Sequence, residues 1–203
     1  MSIIKAHHHL SPLQLDALIE VVNVGSGHAA TSLSEILNRK IMFHVPSITS
    51  CDFKETLLKI VGTNNVIDYV LLHFLGDITG RALIVYPSED AQNIISMITP
   101  KMLQNSYDIQ TCLLKDISSA VSSAYMDAFG RILGFWVLPT MPEKVAIQAP
   151  LSTILGQFDS DIDVTFCAET KFNFRDTGNQ LNVHFFLLPD SVSIKLILHK
   201  LNV

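Results

Sequence analysis

Wound at about 100° per residue, Leu15, Leu18, Ile19, Val22, Ala29, Leu33, Ile36 and Leu37 fall within one apolar arc. The first long segment therefore reads as an amphipathic helix with a core-facing stripe. Its start is well marked. Ser11 supplies a hydroxyl N-cap, Pro12 the first helical residue and Gln14 the third, while Leu10 and Leu15 are spaced as a hydrophobic staple. Asp16, Glu20, Asn23 and Gly27 share a different, polar face of the same helix. Ile41 to Val45 follows as a short strand ending at Pro46. Ser47 to Ser50 is a polar connection of unassigned geometry, and Cys51 to Leu58 stays open between helix and strand.

Val66 to Phe74 and Thr79 to Tyr86 are rich in β-branched and aromatic residues and are joined across Gly76-Asp77, which predicts a hairpin. Pro87-Ser88-Glu89-Asp90 opens a helix to about Ile98, with Ser88 as its expected cap, and Pro100 stops it. The same order then returns. A long helix runs from about Cys112 to Leu133, a strand from Phe135 to Leu138 leads to Pro142, and a hairpin pairs Asp163–Phe172 with Leu181–Leu188. Pro189-Asp190-Ser191 opens a last helix to about Lys200. Ala146 to Gln157, interrupted by Pro150, is assigned neither helix nor strand.

Asp116 stands to Pro142 as Glu20 stands to Pro46, so the two halves share one register. The expectation is a single domain over 1–203 made of two fused repeats, about 10–100 and 107–203. Its fold class is α+β: pseudo-twofold duplicated α-β-β-β-α units, with an antiparallel sheet covered by long helices.

Composition narrows the function classes. With 48% hydrophobic and 16% charged residues the chain can fill a sizeable core, yet no apolar run approaches the ~18 residues that a membrane span requires. Nothing at the amino terminus resembles an export signal, and a cytoplasmic location is expected. A formal charge of −5 without a Lys/Arg cluster argues against nucleic acid and favours a partner that presents lysines. Cys51, Cys112 and Cys167 are odd in number, widely spaced and without a CxxC pair, so mostly buried, reduced thiols are expected rather than a disulfide or zinc framework. His7, His8 and His9 are assigned no role, and no metal site is expected.

An acid-acid-amide trio on a helix is by itself an ordinary solvated face. Two glycines change that reading. Gly25 and Gly27 each cost about 1 kcal/mol relative to alanine inside a helix, so a well-capped helix that keeps them points to close approach. Gly25 lies toward the core edge, where another helix can pack. Gly27 lies beside Asn23, where it clears room for a partner's backbone.

The pattern Asp16-x3-Glu20-x2-Asn23 followed by Pro46, with Asn23-Val24-Gly25-Ser26-Gly27-His28-Ala29-Ala30-Thr31 around it, resembles the signature of the CheC, CheX and FliY family of bacterial chemotaxis phosphatases, and its CheC branch in particular. The resemblance is strongest over Leu10 to Pro46 and weak after Pro142. It implies hydrolysis of the aspartyl phosphate on a CheY-like response regulator. In such a family the amide, here Asn23, enters the regulator's active site, and the acid, here Glu20, contacts the regulator's lysine. No cofactor of the chain's own is implied, because Mg2+ is carried by the regulator. A CheD-like deamidase is a further partner the resemblance admits.

The chemistry agrees with those roles. A carboxamide can accept from an attacking water and donate beside the phosphate, so it can position without reacting. Glu20 near a phosphate makes sense as the partner of a cation. Asp16 either reinforces that contact or is solvated, and Pro46 shapes the strand exit. The second copy departs from the pattern, with Asp116 at the glutamate position, Ser119 at the asparagine position and Cys112 at the first acid, leaving only Pro142. A serine lacks the separate donor and acceptor of a carboxamide, so the second site is expected to be degenerate. A binding module that recognises the regulator without hydrolysis is the alternative reading, and a motor-switch component a third. Ser/His/Asp hydrolase chemistry is disfavoured because no GxSxG occurs.

Overall fold

The computed structural model describes residues 10–44, 47–49, 57–59, 66–158, 167–174 and 182–203. Helix α1 spans Pro12–Leu37, strands β1 and β2 are Ile41–Phe43 and Ser47–Thr49, and β3 (Val66–Gly76) and β4 (Gly80–Tyr86) form the expected hairpin. Helix α2 is Ser88–Ile98 and α3 is Tyr107–Leu133. The second half continues with β5 (Val137–Pro139), β6 (Lys144–Pro150), the short α4 (Leu151–Leu155), β7 (Cys167–Phe174), β8 (Val183–Pro189) and α5 (Ser191–Lys200).

The sheet is antiparallel throughout, in the order β1-β7-β8-β4-β3-β5, with β2 also on β7 and β6 also on β3. Exchanging the first-half strands for their second-half counterparts reverses this order and leaves it unchanged. The centre of the sheet is the β4–β8 pairing, where Gly80 faces Pro189 and Val85 faces His184. Each half thus contributes a hairpin to the middle and a short strand to the opposite half's edge, so neither half completes a sheet alone.

One face of the sheet carries Val70, Leu72, Phe74, Ala82, Ile84, Phe172, Phe185 and Leu187, which meet Leu18, Val22, Ala29, Leu33, Leu114, Val121, Phe129 and Leu133 from α1 and α3. The other face, with Ile67, Tyr69, Leu71, Leu83, Val85 and Phe186, is covered by Leu151 and Ile154 of α4 and by Leu57. Burial on both faces explains why these central strands are apolar runs rather than alternating ones.

Several boundaries differ from the expectation for local reasons. Ser47–Thr49 pairs with β7 as a strand, and Lys144–Pro150 pairs with β3 before Leu151–Leu155 turns helical; these add a fourth strand to each half. Polar, Pro-flanked segments are given strand geometry by the ladder beside them. Helix α3 begins at Tyr107 rather than near Cys112, and the strand after it is Val137–Pro139 rather than Phe135–Leu138. Ser88 is not a cap: Pro87 holds that position, and the Ser88 hydroxyl donates to Asp68 Oδ1 at 3.3 Å. Cys112 is exposed rather than buried. Val45, Pro46, Cys51, His7–His9 and the turn around Arg175–Asn179 lie outside the described residues.

Candidate functional site

The polar strip stands on a helix whose start and end are both chemically fixed. Ser11 Oγ accepts from the Gln14 N–H at 3.2 Å, and Gln14 Oε1 accepts from the Ser11 N–H at 2.9 Å, completing a capping box. At the other end Asn38 adopts a left-handed conformation, with φ 48°, and its N–H donates to Glu35 and Ser34 carbonyls. Ser34 then ties the next strand to the helix. Its hydroxyl donates to the Ala30 carbonyl at 2.6 Å and accepts from the Ile41 N–H at 3.0 Å, so β1 folds back along α1. As a result the Phe43 ring reaches Gly27, coming 3.8 Å from where a β-carbon would stand.

Helix α1 is anchored on its inner side. The Ser26 hydroxyl donates to the Val22 carbonyl at 2.7 Å and shares a second 2.7 Å hydrogen bond with the Thr170 hydroxyl of β7, both side chains being fully buried. Gly25 lies against Tyr125 of α3, which is itself enclosed and stacked on Phe185 with ring centroids 4.5 Å apart. Burial pushes the Tyr125 hydroxyl far above its ordinary value, so it stays neutral. The Tyr125 contact explains why Gly25 is buried just outside the predicted apolar arc, whereas Ser26 falls inside that arc and meets Thr170 of β7.

On the outer side Asp16 and Glu20 are exposed, and Asn23 and Gly27 are half-buried. Helical spacing brings all four along one strip, with Glu20 and Asn23 one turn apart. Among the described residues the Asn23 Oδ1 atom is buried without a hydrogen-bond partner. An unsatisfied buried acceptor costs about 1–3 kcal/mol, and Asn23 shares that state with Asp68, Tyr69, Thr111, Ser122, Tyr125 and Asn173 among the described residues. The terminal Asn torsion is broad and nearly twofold, so a half-turn exchanges its oxygen and nitrogen at little cost. Pro46, the other predicted member, lies outside the described residues. Phe43 was not anticipated; its alternation with Ile41 in a short strand was the available signal.

In the second half, Asp116 and Cys112 are exposed and Ser119 and Pro142 are half-buried. The Ser119 hydroxyl donates to the Lys115 carbonyl at 2.8 Å, one turn back in its own helix. The left-handed cap of α3 is Gly134, at the same sequence offset from Asn38 as Asp116 is from Glu20 and as Val137–Pro139 is from Ile41–Phe43. Among the described residues no group of three or more His, Cys, Asp or Glu is placed to hold a metal ion, and no helix is long and apolar enough to cross a membrane.

The sequence model of the CheC-like family matches residues 13–50, the segment holding α1, β1 and β2. The chain is 25% identical over 189 residues to a CheY-P phosphatase CheC of Bacillus subtilis (strain 168), covering 87% of this chain and 88% of that protein. Among solved structures it is similar to FliY of Thermotoga maritima, with a TM-score of 0.74, 17% identity and coverage of 95% of this chain and 98% of that one. It is also similar to a CheX–CheY–BeF3–Mg2+ complex from Borrelia burgdorferi, with a TM-score of 0.57, 12% identity and coverage of 85% and 97%.

Proposed function

We propose that this chain belongs to the CheC-like family, whose model matches residues 13–50, and hydrolyses the aspartyl phosphate of a CheY-like response regulator, using Asn23 and Glu20 on the outer strip of α1. One observation carries the reading: a neutral carboxamide at the border of core and solvent, its oxygen buried without a partner, one helical turn from an exposed carboxylate. The Bacillus subtilis relative is named for hydrolysis of CheY-P, and the Borrelia burgdorferi structure joins a relative of this fold to CheY with BeF3 and Mg2+.

An aspartyl phosphate is an acyl phosphate whose P–O bond breaks as water attacks in line, releasing phosphate and the aspartate carboxylate. The regulator brings the metal and a cation; positioning is what remains to be supplied. Asn23 accepts a hydrogen bond from the attacking water through Oδ1 and donates one through Nδ2 beside the phosphoryl oxygens. Glu20, which is exposed, pairs with a lysine of the regulator and sets the depth and angle at which Asn23 enters. Asp16 extends that contact by one turn. Mg2+ in this scheme is the regulator's, and the chain needs no cofactor of its own. The second half is silent, because the Ser119 hydroxyl is committed to the Lys115 carbonyl and Asp116 falls one methylene short of a glutamate. The work is cytoplasmic, where such regulators act, and a CheD-like deamidase is a second candidate partner carried over from the family resemblance.

The test is to load the regulator of the same organism with acetyl phosphate, remove the donor and follow loss of the acyl phosphate. Wild type should accelerate it, and Asn23→Ala should slow the catalysed rate by about 10²-fold or more while leaving affinity close to wild type. Wild-type turnover in Asn23→Ala sinks the mechanism. Tight binding without acceleration by the wild type would make the protein a binding module instead.

A further inference from the structure

Glycines in this fold have reasons that can be read from what surrounds them. A β-carbon at Gly80 would come 2.5 Å from the Leu188 carbonyl oxygen, and one at Gly130 would come 2.7 Å from that of Phe135. At Gly25 it would press at 3.0 Å on the Tyr125 ring. Gly27 is different. A β-carbon there would meet only the Phe43 ring, at 3.8 Å and 4.0 Å, which is ordinary van der Waals contact. The residue sits inside α1, where alanine would stabilise the helix. Nothing within the described chain requires the missing methyl.

The second half supplies an internal control. At the offset that relates Glu20 to Asp116, Asn38 to Gly134 and β1 to β5, the counterpart of Gly27 is Ser123, an exposed residue within α3. The fold therefore carries a side chain at this place in one copy and none in the other. The difference falls one helical turn beyond Asn23 and Ser119, on the strip that faces solvent.

We propose that position 27 is a clearance that decides which half accepts the regulator: the bare backbone at Gly27 lets the regulator's main chain lie directly on α1, and Ser123 holds it off α3. This rests on the phosphatase reading and adds a second cause of silence in the other half, independent of Asp116 and Ser119. A docked backbone that must move outward by one methyl withdraws the phosphoryl group from Asn23, so the effect should fall on both KM and kcat.

Gly27→Ala and Gly27→Ser in the full chain test it, read by thermal unfolding and by steady-state hydrolysis of the phosphorylated regulator. The expected result for Gly27→Ala is a Tm raised by about 2–4 °C together with a kcat/KM lowered about tenfold or more, and Gly27→Ser should lower activity further. In an Asn23→Ala background, Asp116→Glu with Ser119→Asn should restore more hydrolysis when Ser123→Gly is added than without it. Folded Gly27 variants that keep wild-type kcat/KM overturn the proposal while leaving the phosphatase reading intact. So does a Gly27→Ala chain that melts below wild type, since the glycine would then serve its own fold. A wild-type chain that neither binds nor hydrolyses the regulator overturns both.

Discussion

Gly25 lies beneath the ring of Tyr125, close enough that a β-carbon on the glycine would stand 3.0 Å from Cε1 and Cζ. The ring has no room to retreat, being fully buried and stacked on Phe185 and Phe129 at centroid distances of 4.5 and 6.1 Å. This contact sets how closely the two long helices approach and so where the outer strip of α1 stands relative to the sheet.

Gly25→Ala should therefore destabilise the fold even though alanine favours a helix. Overpacking costs about 1–3 kcal/mol, against about 1 kcal/mol gained from helix propensity. A lowered urea midpoint with an unchanged m-value is expected. A midpoint at or above wild type would mean that the Tyr125 ring shifts freely, contrary to its packing. The opposite outcome is expected at Gly27, two residues away.

Glu20 is exposed, so its ion pair with the regulator should be weak and screened. Glu20→Ala should lower affinity about two- to fivefold at low ionic strength. That difference should shrink toward none near 1 M salt, where the screening length is about 3 Å. Isothermal titration at two salt concentrations checks this, and a loss of affinity indifferent to salt would remove the lysine contact from the scheme.

A single working strip predicts one phosphorylated regulator bound per chain. Ser119→Ala should leave hydrolysis unchanged, because that hydroxyl already donates to the Lys115 carbonyl within α3. Calorimetry and turnover measure the two quantities. Two bound regulators, or a loss of activity on Ser119→Ala, would assign the second half a share of the reaction.

Asp68 predicts a pH dependence of stability. It is fully buried, and burial pushes its carboxyl above the usual range despite the Gln148 N–H at 2.6 Å and the Ser88 hydroxyl donating to Oδ1, while Oδ2 has no partner among the described residues. A raised native pKa means that the folded chain holds the proton more tightly than the unfolded one. Its contribution is full below about pH 4 and is lost as pH rises through the raised value. Asp68→Asn keeps the accepting oxygen and removes the charge, so the variant should gain stability over wild type between pH 4 and 8. Denaturant midpoints that run parallel across that range would show that Asp68 is not the titrating group.

Much of the architecture could be read in advance because it is written locally. Ser11, Pro12 and Gln14 close a capping box within one turn, and Asp190 caps α5 by accepting from the Ser193 N–H at 2.7 Å. The β3–β4 hairpin follows from residues adjacent in the chain. The edge strands β2 and β6 were not legible, because Ser47–Thr49 and Lys144–Pro150 become strands only through partners on β7 and β3 far away in sequence. Nor was the start of α2, where Pro87 rather than Ser88 holds the cap position and the Ser88 hydroxyl turns to Asp68 of β3.

The candidate site divides along the same line. Sequence by itself determined the strip Asp16, Glu20, Asn23 and Gly27, since a helix of known period puts those positions on one face whatever surrounds it. It also determined the shared register of the two halves, which is a matter of spacing. Only the tertiary structure decided what each position costs: that Gly25 is occupied by Tyr125 and Gly27 by almost nothing, that the Asn23 oxygen is buried without a donor, and that Phe43 flanks the strip. Periodicity is a property of one segment, whereas clearance and hydrogen-bond satisfaction belong to pairs of segments that meet only when the sheet and helices close on one another.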